Sequence, residues 1–245
     1  MRDIAKGRVG NNRCKSKSAA AILGLAAFVF VALWVQPTVA QIRIMPLGDS
    51  LTSGLPGQAS YRYWLWQRLK AAGYQINFVG SNWGVGERTP ARYSDFDEDN
   101  EGHPSDTTND ILYALRSWTT SARPDVVLML VGATDFERGR SVSYVLGNSA
   151  RIINTLRSVN PRVVIIWAML PRGKNPVREQ EYNAAVLHLA SSWSGPRSPI
   201  YAANLWTGFL PSLDTIDGQH PNRAGEKLIA NGFYLPLVPV LAQRR

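Results

Sequence analysis

Residues 43–54 read "RIMPLGDSLTSG". A short apolar run ends in Gly48, Asp49 and Ser50, then gives way to Thr52, Ser53 and Gly54. Glycine, aspartate and serine are turn formers, and a strand that simply stops would read this way. The alternative is a serine nucleophile held at the carboxyl end of a strand, which requires a base elsewhere in the chain.

Apolar runs recur downstream and alternate with helical periodicity. "IRIMPL" (42–47) and "INFVG" (76–80) read as strands, as do the continuous apolar runs "DVVLMLVG" (125–132) and "RVVIIWAML" (162–170). Unbroken hydrophobicity of that kind suits strands covered on both faces. Between them, "YRYWLWQRLKAAG" (61–73) places Tyr61, Trp64, Leu65, Leu69 and Ala72 on one helical face before Gly73. "TTNDILYALRSW" (107–118) opens with a Thr-x-x-Asp cap pattern. Val142, Val145, Leu146, Ile152, Ile153 and Leu156 suggest a helix interrupted near Gly147. A helix at 177–193, a strand at 199–204 and a last helix over 222–233 complete the pattern. Alternation of this kind predicts an α/β fold, a parallel sheet between helical layers. Sites in such sheets lie at the carboxyl ends of strands, where Ser50, Asp135 and the residues after Asn204 would converge.

The stretch before residue 41 reads as an address. Six basic residues (Arg2, Lys6, Arg8, Arg13, Lys15, Lys17) and one acid precede "AAAILGLAAFVFVALWV" (19–35), and Thr38 and Ala40 supply small residues before Gln41. Residues 1–40 are therefore expected to be an export signal or, uncleaved, an N-terminal membrane anchor, with 19–35 the only membrane contact. Either places the domain over 41–245 outside the cytoplasm, secreted or periplasmic. The whole chain has 27 Lys+Arg against 18 Asp+Glu; without 1–40 these become 21 and 17. A balance of +4 removes most of the support for a nucleic-acid partner. The only cysteine, Cys14, lies in the same segment, so the exported part has no disulfide and must rest on its core. The 205 residues that remain suffice for one such domain.

Three histidines are candidates for the base. His188 in "AAVLHLA" reads as a structural residue in mid-helix, and His103 in "EGHPSD" lacks an obvious acid to orient it. His220 in "DTIDGQHPN" has Asp217 three residues earlier, a spacing that can bring a carboxylate to an imidazole nitrogen. An ordinary turn capped by Asn222 is the competing reading of that stretch. The acidic loop "DFDEDNEGHPSD" (95–106) carries Asp95, Asp97 and Asp99 in the alternation of a calcium loop. Asn100 replaces the required glycine and Pro104 interrupts, so a solvated acidic loop and no metal is expected. Trp83 and Trp206 are expected to pack in the core rather than to stack on sugars.

"PLGDSLTSG", "VGATD" (131–135) and "DGQHPN" (217–222), in that order, resemble the SGNH (GDSL) hydrolase superfamily. With "YRYWLWQRLKAAGY", "FVGS" and "EGHPS", the chain from 42 to 233 looks like the branch containing acetylxylan esterases of carbohydrate esterase family three. The resemblance implies a flavodoxin-like three-layer α/β/α sandwich, no cofactor, and ester hydrolysis through an acyl-serine on a small-molecule or polysaccharide ester. It implies Ser50 as nucleophile, His220 as general base and acid, and Asp217 as the orienting acid. The oxyanion hole would comprise Ser50, Ser105 and Thr134. Two positions depart from the family pattern: Thr134 stands where the family has asparagine, and Ser105 where it usually has glycine. A catalytically weakened or inactive carbohydrate- or envelope-binding protein on the same fold is therefore the alternative. No Gly-x-Ser-x-Gly elbow surrounds Ser50, which argues against an α/β-hydrolase fold.

Overall fold

The computed structural model describes residues 41–86 and 88–244. The basic and apolar segments expected to direct export lie outside the described residues. In chain order the elements are β1 (Ile42–Gly48), α1 (Ser50–Ser53), α2 (Ser60–Ala71), β2 (Ile76–Phe78), β3 (Glu101–Gly102) and α3 (Thr108–Ala122). There follow β4 (Val126–Leu130), α4 (Ala133–Glu137), α5 (Val142–Val159), β5 (Val164–Ala168), α6 (Pro176–Ser192), β6 (Ile200–Ala203), α7 (Pro211–Asp214) and α8 (Arg223–Ala242).

All strand pairs are parallel, in the order β2-β1-β4-β5-β6, with the two-residue β3 pairing the far end of β1. This is the doubly wound order expected of a flavodoxin-like sandwich, and the order reverses between β1 and β4. Ser50 follows β1 and Thr134 follows β4, so both stand at the crevice that reversal opens. Every residue of β4 and β5 is buried, the reason both read as continuous apolar runs. α2 and α8 pack together on one face, where Tyr61 stacks on Phe233 at 5.2 Å; α3 and α5 pack together on the other.

The Thr107 capping box forms as its sequence predicts, with Thr107 accepting from Asp110 N and Asp110 from Thr107 N. Two helices differ from expectation. α5 runs unbroken through Gly147, because Val145, Ser149, Ile152 and Ile153 hold a buried face on both sides of it. A mid-helix glycine costs about 1 kcal/mol, less than that burial returns. α8 continues to Ala242 through Pro236 and Pro239. Leu237, Val240 and Leu241 extend its apolar face, and their burial outweighs the lost backbone bonds.

Candidate active site

Position 48 admits only glycine. A Cβ there would lie 2.0 Å from the Leu130 carbonyl oxygen, so the end of β1 could not sit against β4. Asp49 then caps α1: its Oδ1 accepts from Leu51 N at 3.0 Å. Its Oδ2 accepts from Thr134 N and Thr134 Oγ1, both at 3.3 Å. The carboxyl is 1% exposed, and burial pushes its pKa up to about 6 despite those hydrogen bonds. This buried acid ties the turn after β1 to the turn after β4.

The next residue is Ser50, whose Oγ lies 3.0 Å from His220 Nε2. His220 Nδ1 lies 2.8 Å from Asp217 Oδ2. The other carboxylate oxygen accepts from His220 N at 2.8 Å and Gln219 N at 3.0 Å. Burial raises the Asp217 carboxyl, but the bonds from His220 and Gln219 outweigh it and hold the group well below the usual carboxylate range. The loop carrying both residues is braced by the loop between β5 and α6, where Lys174 N donates to Gln219 Oε1 at 2.9 Å. Asn222 caps α8 through Ala224 N and Gly225 N, so the turn reading and the site reading hold together.

Ser105 adopts φ +67°, the left-handed region that favours glycine, and its carbonyl accepts from Arg138 at 2.7 Å. Thr134 is 5% exposed, and its hydroxyl donates to Asp49 instead of opening toward Ser50. Asp135 accepts from Thr108 N and Thr108 Oγ1, both at 2.8 Å, and joins α4 to α3.

Several expectations need correction. His103 does have an orienting acid: Glu101 Oε1 lies 2.6 Å from its Nε2. Glu101 opens β3 and His103 directly follows it, so the two side chains two residues apart point to one side, a spacing that the sequence offered. His188 is exposed on α6 rather than satisfied in the interior, because its position falls on the outer face. Trp83 is 42% exposed, whereas Trp206 packs against the core with the Arg172 guanidinium 4.7 Å from its ring centroid. The acidic loop turns its carboxylates to separate partners: Asp95 accepts from Gln67, and Asp97 from Phe78 N and Asp99 N.

Arg62 and Glu226 are buried charges that escaped the sequence reading. Arg62, on α2, is fully buried and donates to the carbonyls of Thr52, Ser53, Gly84 and Glu98. Burial lowers its pKa to about 10, which leaves it charged at neutral pH. Glu226, on α8, accepts from Ser60 N at 2.8 Å and Trp64 Nε1 at 2.9 Å. The first fixes the chain just after Ser50; the second fixes α2 against the helix that follows His220. Their only sequence signal is a charge placed within an apolar helical face.

The family model for the GDSL-like lipase/acylhydrolase family matches residues 47–228. The chain belongs to this family. Among solved structures, an acetyl esterase determined as a serine-to-alanine mutant with acetate ion superposes with a TM-score of 0.75 at 25% identity, covering 84% of this chain and 100% of that one. A carbohydrate esterase of family 3 from Talaromyces cellulolyticus gives 0.74 at 26% identity, covering 83% and 99%. A family 3 carbohydrate esterase from Clostridium thermocellum gives 0.72 at 28%, covering 83% and 98%. A multidomain esterase of Ruminococcus flavefaciens is 25% identical over 213 residues, 75% of this chain and 27% of that protein. The platelet-activating factor acetylhydrolase IB subunit alpha2 of Gallus gallus is 30% identical over 114 residues, 45% of this chain and 48% of that protein. The chain thus spans about half or less of the curated relatives it matches. Family and neighbours together support an ester-bond hydrolase on the SGNH fold.

Proposed function

We propose that this GDSL-family protein is an exported serine esterase that removes short acyl groups, acetyl foremost, from a carbohydrate. The observation that carries the reading is the line Ser50 Oγ–His220 Nε2–Asp217, with links of 3.0 and 2.8 Å. Ser50 Oγ attacks the ester carbonyl while His220 Nε2 takes its proton, and ionised Asp217 stabilises the imidazolium. The backbone N–H groups of Ser50, in the first turn of α1, and of Ser105 are proposed to hold the oxyanion. Collapse expels the sugar alcohol, which receives the proton from His220. Water, deprotonated by the same imidazole, then attacks the acyl-serine and releases the acid and Ser50.

The short acyl group is supported by the space beside Ser50. It is bounded by Leu51, Leu55, Tyr61 and Pro221 together with the polar Ser60 and Glu226, and has room for about one water-sized sphere. The acetyl and carbohydrate esterases that superpose on the chain support the same acyl group and alcohol. Export is supported by the basic and apolar segments before Gln41. The test is hydrolysis of p-nitrophenyl acetate, butyrate and octanoate by wild type and Ser50→Ala. Acetate should be preferred and the variant inactive; equal activity in purified Ser50→Ala would end the assignment. Export is tested by fractionation, and full-length protein confined to the cytosol would refute it.

The Thr134–Asp49 bond favours a second reading, a weakened enzyme that mainly binds carbohydrate. Oligosaccharide binding by wild type without release of acid would establish it.

A further inference from the structure

Beside the Ser50 turn lies a groove of about 320 Å³ lined by Asn82, Gly86, Arg88, His103, Pro104 and Asp106. It adjoins the nucleophile through the backbone. Gly48 pairs with Gly102, and His103 N donates to the Gly48 carbonyl at 2.9 Å. Gly86, in the groove wall, donates through its N–H to the Gly54 carbonyl and accepts from Ser53 Oγ, so the wall is fastened to the segment just after Ser50. Ser50 is approached by His220 and Asp217 from the β6–α8 side and by this groove from the β3 side.

His103 is built into the groove with unusual care. Its ring lies flat on Trp118, with centroids 4.2 Å apart and planes 9° from parallel. Its Nε2 is held by Glu101, a fully buried carboxylate that also accepts from Ser81 N and Ser81 Oγ. The ring can neither tilt nor spin, and Nδ1 is the nitrogen left for a ligand. In the tautomer whose Nε2–H points at the carboxylate, Nδ1 is an acceptor.

We infer that this groove seats a sugar ring of the ester's alcohol half, with His103 Nδ1, the Arg88 guanidinium and the Asp106 carboxylate binding its hydroxyls. The inference rests on the esterase reading and names which side of Ser50 the leaving group occupies. The lining decides the ligand class. Among the described residues Pro104 is the one apolar side chain lining it, so a fatty chain would gain little there. Asp106 stands with Arg88 and His103, so the lining presents both signs of charge and does not select an anion. A hydroxyl both donates and accepts, and therefore suits an acceptor nitrogen, a donor guanidinium and an acceptor carboxylate at once. Neighbouring hydroxyls on one ring can meet all three.

The test compares kcat/KM for acetylated xylo-oligosaccharides with kcat/KM for p-nitrophenyl acetate, using the full chain. His103→Phe keeps the stack on Trp118 and deletes the acceptor; Arg88→Ala changes an exposed residue and gives up one surface bond, from the guanidinium to the Ser81 carbonyl at 3.1 Å. The ratio of glycan to simple ester should fall roughly three- to tenfold in each, mainly through KM for the glycan. His188→Ala, on the outer face of α6, should leave the ratio at the wild-type value. A ratio within 1.5-fold of wild type in both groove variants overturns the inference. Should His103→Phe fail to fold, Arg88→Ala decides alone. Wild type that cleaves p-nitrophenyl acetate but no glycan ester also overturns it, while the esterase reading stands. Wild type that cleaves neither ester overturns the esterase reading, and the sugar site falls with it.

Discussion

Asp49 sits one residue before the proposed nucleophile and is 1% exposed, yet no cation among the described residues pairs with it. Burial raises its pKa from 3.8 to about 6, with the nearby Asp135 charge adding to the rise. The folded protein therefore holds a proton that the unfolded chain releases. Below about pH 4 the carboxyl is protonated in both states and contributes nothing to pH dependence. Between about pH 4 and pH 6 the unfolded chain ionises first, so stability is lost as pH rises. Above pH 6 the loss is complete, and two pKa units correspond to about 3 kcal/mol. Asp49→Asn abolishes this titration while keeping the shape. It also turns an amide N–H₂ toward Thr134 N, so the variant should be less stable than wild type at pH 4. The deficit should then shrink, or reverse, by about 3 kcal/mol between pH 4 and pH 7. Urea unfolding of both proteins at pH 4, 5, 6 and 7 measures this directly. Buried acids with no interaction with Asp49, Glu226 among them, titrate alike in both proteins and cancel in the difference, while Asp135, relieved of its like-charged neighbour in Asp49→Asn, changes the difference only by that mutual repulsion. A change below about 1 kcal/mol across that range would refute the reasoning.

Two further outcomes follow from the site. Asp217→Asn places an amide against His220 Nδ1 and favours the tautomer with its proton on Nε2, facing Ser50; kcat for p-nitrophenyl acetate should fall by about 10³–10⁴ with little change in KM. Thr134→Val deletes the hydroxyl that Asp49 accepts but keeps the shape, so urea unfolding at pH 7 should show a loss of about 1 kcal/mol. In the same preparation kcat should stay within roughly threefold of wild type, because the proposed oxyanion donors are backbone N–H groups; a fall of 10² would instead assign the hydroxyl to the oxyanion.

The layered fold was legible because burial on both faces leaves a direct trace. β4 and β5 are apolar at every position since nothing polar could face either helical layer. Thr107 and Asp110 announced a helix start because the capping box is local chemistry. Gly147 misled for the opposite reason. Its conformational freedom is a local property, while the continuity of α5 is set by partners elsewhere in the fold. The same holds for Pro236 and Pro239 in α8, which local rules read as stops and the buried face carries through.

For the site, legibility followed sequence separation. Asp217 and His220 are three residues apart, and one turn suffices to bring the carboxylate to Nδ1. The link from His220 to Ser50 crosses 170 residues, so spacing alone could not show it; only the fold, by ending β1 beside the loop before α8, closes it. Arg62 and Glu226 show the limit most clearly. Apart from the Ser60 hydroxyl that Arg62 meets, their hydrogen-bond partners are backbone groups or an indole, and a backbone carbonyl has no letter in the sequence. Thr134 combines both cases. Its letter reads as a shortened donor at an oxyanion position, yet the partner that claims its hydroxyl is Asp49, 85 residues away and itself buried by the same turn. A carboxylate already removed from water gains more from a nearby hydroxyl than a transient oxyanion does in the resting protein. The substitution that looks like a loss for catalysis is, in the resting structure, a hydrogen bond that holds the nucleophile's turn in place.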